Sequence, residues 1–293
     1  MAGGTVVVTA VGSALGGRLG GVVSNSYFAD IEGFNIRKIR DGEEPAVMCI
    51  DGFLTQDVDT DEEWLSNLPE SLKNRAVYAV DWEAKRLRDL AVLAGSTGAK
   101  NVVSNTMIKP LLLRASKVAA TRIGPLATVF SVADLIDNPW HVARYKAEET
   151  GVLLADLIAR TEQKFVLVGH SLGARVIYYC LSALKTVTDK TWIDSVYLLG
   201  GAVNNSVSDK DDDTINWTDI GQAVDGAIVN CYSANDEVLR VLYNASQLFV
   251  GSAIGRNPIP VPEVTNKDVT DIISGHAFYK QNLRAIFERA HKE

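Results

Sequence analysis

Residues 165–184 read FVLVGHSLGARVIYYCLSAL, a short apolar run that turns through Gly169-His170-Ser171-Leu172-Gly173 into an amphipathic stretch. The spacing is that of a nucleophile elbow, Gly-x-Ser-x-Gly. A strand that reverses sharply into a helix presents one side chain at the sheet's carboxyl edge. The residues two before and two after must be small, and here both are glycine. The turn also leaves the Leu172 N–H at a helix start, aimed where an oxyanion would form.

Serine attacks only when a base removes its proton and an acid orients that base. With such an elbow the chain order is serine, acid, histidine. Of the four histidines, only His276 and His291 follow Ser171. His291 sits in a charged tail and reads as solvated. His276, beside Gly275 in DIISGHAFYK, can be carried over Ser171 by a loop. The acid is expected at Asp236, in the loop after the strand-like run AIVNCYS, with Glu237 as fallback. Asp225 precedes that run and belongs at the wrong edge, and Asp271 reads as the cap of the following turn. A second oxyanion donor is expected from Asp51-Gly52-Phe53-Leu54, where Gly52 permits close approach and Phe53 offers its N–H.

Other polar clusters lead nowhere chemical. DVDTDEEW (57–64) opens like a calcium loop, but Glu62 stands where glycine is needed and Leu68 where glutamate is needed; it reads as an acidic helix start. SDKDDDT (208–214) reads as a solvated loop, His170 as packed beside the elbow, and His141 as structural. Neither a metal nor an organic cofactor is called for.

Elements that would position these groups recur along the chain. Strand-like runs are FNIRKI (34–39), AVMCID (46–51), AVYAVDW (76–82), KFVLVGH (164–170), SVYLLGG (195–201) and AIVNCYS (227–233). Helix-period segments fall at 61–72, 82–95, 145–161 and 175–186. The alternation predicts right-handed crossovers and a mostly parallel sheet with helices on both faces. Asp41-Gly42 predicts an antiparallel pairing of the first two runs. Residues 100–144, apolar and helical without a strand, predict a cap that shapes a substrate pocket, within one domain spanning 1–293.

The 293 residues fit one large α/β domain. Apolar residues at 47% supply a core, while charged residues at 22% and 8 prolines exclude extensive disorder. The net charge of −7 disfavours nucleic-acid binding, which needs cations against phosphates. Cys49, Cys180 and Cys231 lie in apolar runs and read as small buried hydrophobes in a reducing compartment. Residues 1–24 lack a basic leader but repeat glycine at 12, 16 and 20. Such a stretch fits a segment packed tightly on the domain or one touching a membrane.

Four stretches together, SLGARVIYYCLSAL, VADLIDNPWHVARYKAEETGVLLADLI, VYAVDWEAKRL and VTDIISGHAFY, give the chain a likeness to one α/β-hydrolase family. This is the family that includes the transmembrane and coiled-coil domain proteins of animals and their fungal relatives. The likeness runs from the glycine-rich start to about residue 290. It implies an α/β-hydrolase fold and puts Ser171, Asp236 and His276 on the family's triad positions. It also aligns the glycine-rich segment and 105–138 with parts that touch or enter membranes in eukaryotic members. Here those parts are shorter and carry Arg18, Lys109, Arg114, Lys117 and Arg122.

The expectation is a cytoplasmic serine hydrolase acting on lipid or other apolar acyl esters. Peripheral membrane contact is expected through the glycine-rich start or the 105–136 helices. Two other readings remain open: a binding or trafficking adaptor with little or no catalysis, and a secreted lipolytic effector.

Overall fold

A computed structural model describes residues 34–52, 60–82, 140–187, 190–205, 215–218, 220–240 and 252–292. Among the described residues, seven strands form one sheet: β1 (Asn35–Arg40), β2 (Glu43–Ile50), β3 (Arg75–Asp81), β4 (Phe165–His170), β5 (Ile193–Leu199), β6 (Ile228–Tyr232) and β7 (Val264–Asp268). Their spatial order is β1-β3-β2-β4-β5-β6-β7. Only β1 runs antiparallel, against β3; every other pairing is parallel. This sheet, with the elbow at the end of its central strand, is an α/β-hydrolase fold.

The parallel pairing follows from two-sided burial. Along β2, Met48 and Ile50 pack into one core while Val47 and Cys49 pack into the other. In β4, Phe165 and Leu167 face the first core, and Val166 and Val168 the second. A strand apolar on both faces needs a layer of helix on each side. Helices α2 (His141–Thr161) and α3 (Leu172–Val187) pack together on the first face. Residues of α1 (Thr60–Asn67) and α4 (Leu283–Ala290), including Trp64, Leu283 and Phe287, fill the second. Each fully buried aliphatic side chain contributes about 1.5–3 kcal/mol.

The expected antiparallel pairing of β1 with β2 is not what forms. After β1 the chain crosses the start of β3, and β2 adds parallel on β3's other side. Gly42 makes that crossing: a Cβ there would lie 2.4 Å from the Asn74 carbonyl oxygen and the Arg75 carbonyl carbon. The physical reason lies in β2, whose two apolar faces demand a central place in the sheet. β1 stands at the end of the described strand order and ties to α1 through Arg37, whose guanidinium bonds Asp61 and Asp81.

Pro69 separates α1 from a short 3₁₀ turn at Glu70–Leu72, dividing the helix expected at 61–72. The three acids Asp61, Glu62 and Glu63 do sit in the first turn of α1. Helix α2 begins at His141, so residues 141–144 belong to it although they fell within the segment expected as a cap. Most of that segment (100–139), the glycine-rich start, and 83–95 of the helix expected at 82–95 lie outside the described residues. The three cysteines are buried. Burial raises the thiol pKa of all three, that of Cys231 to about 12, which makes them poor nucleophiles.

Candidate active site

The elbow forms where β4 ends and α3 begins. Ser171 has φ 57°, in the left-handed region. Its N–H donates to the Leu199 carbonyl (3.0 Å), and its carbonyl accepts from Ala174 N–H (3.1 Å) and Ala202 N–H (3.0 Å). A side chain on either flanking glycine would collide with backbone. A Cβ on Gly169 would sit 2.7 Å from the Gly173 carbonyl, and one on Gly173 only 2.1 Å from the Ile50 carbonyl oxygen. Leu172 opens α3, so its N–H belongs to the first turn, where no helical carbonyl precedes it.

Two further strands end at the same edge and deliver the partners. Beyond β6, Asp236 is fully buried, and its Oδ1 accepts the Leu239 N–H at 3.0 Å. Its Oδ2 lies 2.7 Å from His276 Nδ1. Beyond β7, His276 starts a 3₁₀ turn and points Nε2 at Ser171 Oγ, 2.8 Å away. With Nδ1–H donated to the carboxylate, Nε2 is the free acceptor facing the hydroxyl. The side chain of His276 retains 14% exposure and Ser171 retains 6%, so the relay is nearly dry. Such an arrangement can move a proton from a hydroxyl to an imidazole and stabilise the imidazolium that results.

The other residues considered fall elsewhere. Glu237 pairs with Arg240 and approaches Arg256 at 3.9 Å. Asp225 sits at the opposite edge of the sheet, bonded to Lys164 and Thr191. Asp271 forms an ion pair with Arg289 at 2.6 Å, and Asp268 Oδ1 accepts the Thr270 N–H. His291 is exposed yet bonded, Nδ1–H donating to the Phe287 carbonyl and Nε2 accepting from Tyr197. Phe53 lies outside the described residues, but Gly52 is in place: a Cβ on it would come within 2.5 Å of Ser171 Cβ. Among the described residues, no group of three or more His, Cys, Asp or Glu side chains is arranged to hold a metal ion. Nor is any described helix long and apolar enough to cross a membrane.

Two features escaped the sequence. His170 does pack beside the elbow, but its Nε2–H also donates to the His276 carbonyl at 2.8 Å. Lys280 is buried against Asp51 and Glu63, although lysine ordinarily signals surface.

A family described as "Protein of unknown function (DUF726)" matches residues 1–292. An uncharacterized membrane protein of Schizosaccharomyces pombe is 33% identical over 216 residues, which cover 71% of this chain and 26% of that protein. A transmembrane and coiled-coil domain-containing protein of Oryza sativa subsp. japonica is 30% identical, covering 97% of this chain and 42% of its own length. A Saccharomyces cerevisiae protein described as a probable lipase is 25% identical, over 98% of this chain and 26% of that protein. The chain thus spans less than half the length of these curated relatives. Among solved structures, a putative aryl esterase from Burkholderia cenocepacia is 14% identical, covers 88% of this chain and 94% of its own, and has a TM-score of 0.42. The carboxylesterase CesB from Bacillus subtilis is 13% identical, covers 89% and 87%, and has a TM-score of 0.40.

His170 gives the site a pH signature. Its ring stands 4.9 Å from that of His276 and 5.6 Å from that of Tyr279. Burial first, then the charges of His276 and Lys280, hold its pKa well below the ordinary 6.5. In the unfolded chain the same ring takes up a proton near pH 6.5, so falling pH favours unfolding. The stability conferred by the neutral ring is complete above that pH. It is lost at about 1.4 kcal/mol per pH unit below it, down to the folded pKa. Urea unfolding at two pH values checks this. Between about pH 7 and about pH 5, wild type should lose about 1–2 kcal/mol more stability than His170→Gln; equal losses would contradict the assignment.

Proposed function

The chain belongs to the DUF726 family, and we propose that it is a serine hydrolase that cleaves carboxylic esters through an acyl-enzyme. One observation carries the reading: the unbroken relay of short hydrogen bonds from Ser171 Oγ to His276 to Asp236. A fold used only as a binding or trafficking adaptor has no physical need for all three groups in register.

In this reading Ser171 Oγ attacks the acyl carbonyl as His276 Nε2 takes its proton, and Asp236 stabilises the imidazolium without becoming protonated. The carbonyl oxygen becomes an oxyanion held by the N–H groups of Leu172 and Phe53. Each such donor is worth about 10²–10³ in rate. Collapse expels the alcohol, which leaves with the proton from His276. Water, deprotonated by the same imidazole, then attacks the acyl-enzyme and releases the acid. None of these steps calls for a cofactor.

An apolar acyl substrate, a lipid above all, is favoured by the hydrophobic 100–144 stretch and by the yeast relative described as a probable lipase. The relatives named as membrane proteins favour peripheral membrane contact, through residues 1–24 or 105–136. Three buried free thiols fit a reducing, cytoplasmic setting.

Turnover of a graded series of p-nitrophenyl esters tests the chemistry. Wild type should hydrolyse them, with a preference for longer acyl chains. Ser171→Ala should abolish turnover, and Asp236→Asn should lower kcat by about 10³–10⁴. Turnover in Ser171→Ala equal to wild type would remove this serine from the mechanism. Flotation with liposomes tests the surface contact: the full chain should float, and deletion of residues 1–24 or removal of charge-free apolar residues in 105–136 should weaken it. Failure of the full chain to float would contradict it.

A further inference from the structure

A charge cluster around the buried Lys280 lies near the candidate site, and no step of the mechanism above uses it. Lys280 stands in the 3₁₀ turn Lys280–Asn282, four residues past His276, with its side chain 5% exposed. Its Nζ lies 2.9 Å from Asp51 Oδ1 and 2.9 Å from Glu63 Oε2, and 5.3 Å from the centre of the Trp64 ring. The other oxygen of Asp51 accepts the Trp64 Nε1–H at 3.1 Å, and its carbonyl accepts the Trp82 Nε1–H at 2.9 Å.

Asp51 follows directly on β2, and its neighbour Gly52 touches Ser171. The cluster therefore ties three parts of the molecule at one point: the 3₁₀ turn that follows the one carrying His276, the start of α1, and the backbone beside Ser171. Burial alone would disfavour the Lys280 ammonium, yet Asp51 and Glu63 outweigh it and raise its pKa above 10.5. Without that cation two carboxylates would face each other in a poorly solvated space, and the β2 end would lose the contact that fixes its side chain.

We propose that Lys280 is a positioning residue for the nucleophile: through Asp51 it holds the backbone at Gly52 in register with Ser171 and His276. The proposal rests on Ser171 being the nucleophile, and it concerns how that serine is placed for attack rather than how substrate binds. Lys280 touches no reacting atom. Its loss should therefore lower kcat and leave KM nearly unchanged.

The experiment compares wild type, Lys280→Met and Asp51→Asn on one p-nitrophenyl ester. It also measures inhibition by a trifluoromethyl ketone, which forms an oxyanion on the serine, and by the matching methyl ketone, which binds without forming one appreciably. Lys280→Met should lower kcat about 10–100-fold with KM within about twofold, since small misplacements in a site cost rates of this order. It should weaken the trifluoromethyl ketone by about the same factor and leave the methyl ketone unaffected. Asp51→Asn, which keeps an acceptor for Trp64, should show the same pattern more weakly, and it carries the test if Lys280→Met does not fold. Wild-type kcat and inhibitor affinities in the variants would overturn the proposal, as would equal losses for both ketones. A wild type with no turnover would instead overturn the hydrolase reading on which the proposal stands.

Discussion

One backbone angle sets the terms for everything around it. Ser171 occupies the left-handed region at φ 57°, a conformation that costs a residue with a side chain about 1–2 kcal/mol. The surroundings hold it there. Its N–H and its carbonyl are bonded to Leu199, Ala174 and Ala202, and Gly169 and Gly173 remove the side chains that would push the turn open. Gly173 in turn lets α3 ride against the Ile50 carbonyl, which brings the end of β2 to Ser171. Strain at this residue is thus held by packing from three strands and one helix.

The sheet converts that local constraint into a site. Parallel strands β4, β6 and β7 all finish at one edge, so residues separated by 105 and 40 positions in sequence meet within hydrogen-bond distance. Burial of Asp236, together with its bond to the Leu239 N–H, fixes one carboxylate oxygen and leaves the other for His276. His276 is held from behind as well, by the His170 Nε2–H on its carbonyl. A relay fixed in this way has little left to reorganise when charge develops, which is how a preorganised site stabilises a transition state.

Much of this was legible in the residues. Six of the seven strands announce themselves as β-branched or apolar runs, and the elbow pattern singles out Ser171 because a tight strand-to-helix turn demands Gly-x-Ser-x-Gly. Chain order then leaves His276 and His291, the charged tail around His291 favours His276, and the strand before Asp236 points to the acid. β7 was not legible: VTNKD buries only Val264 among its five residues, so an edge strand leaves no apolar run to read. The Asp41-Gly42 turn pointed to a hairpin, whereas the two-sided apolar run of β2 was the stronger signal and called for a central strand. Lys280 could not be foreseen, because its partner Asp51 is 229 positions away and only tertiary packing makes a lysine internal.

The central claim is that the Ser171 hydroxyl is made nucleophilic by the imidazole 2.8 Å away. Mass spectrometry of rapidly quenched protein, after brief mixing with an activated acyl ester, tests it most directly. The account predicts an acyl adduct on the peptide bearing Ser171 within the first turnovers, and no adduct on that peptide in His276→Ala. Hydrolysis with the acyl group found on another residue, or an equal rate of acylation without the imidazole, would contradict it.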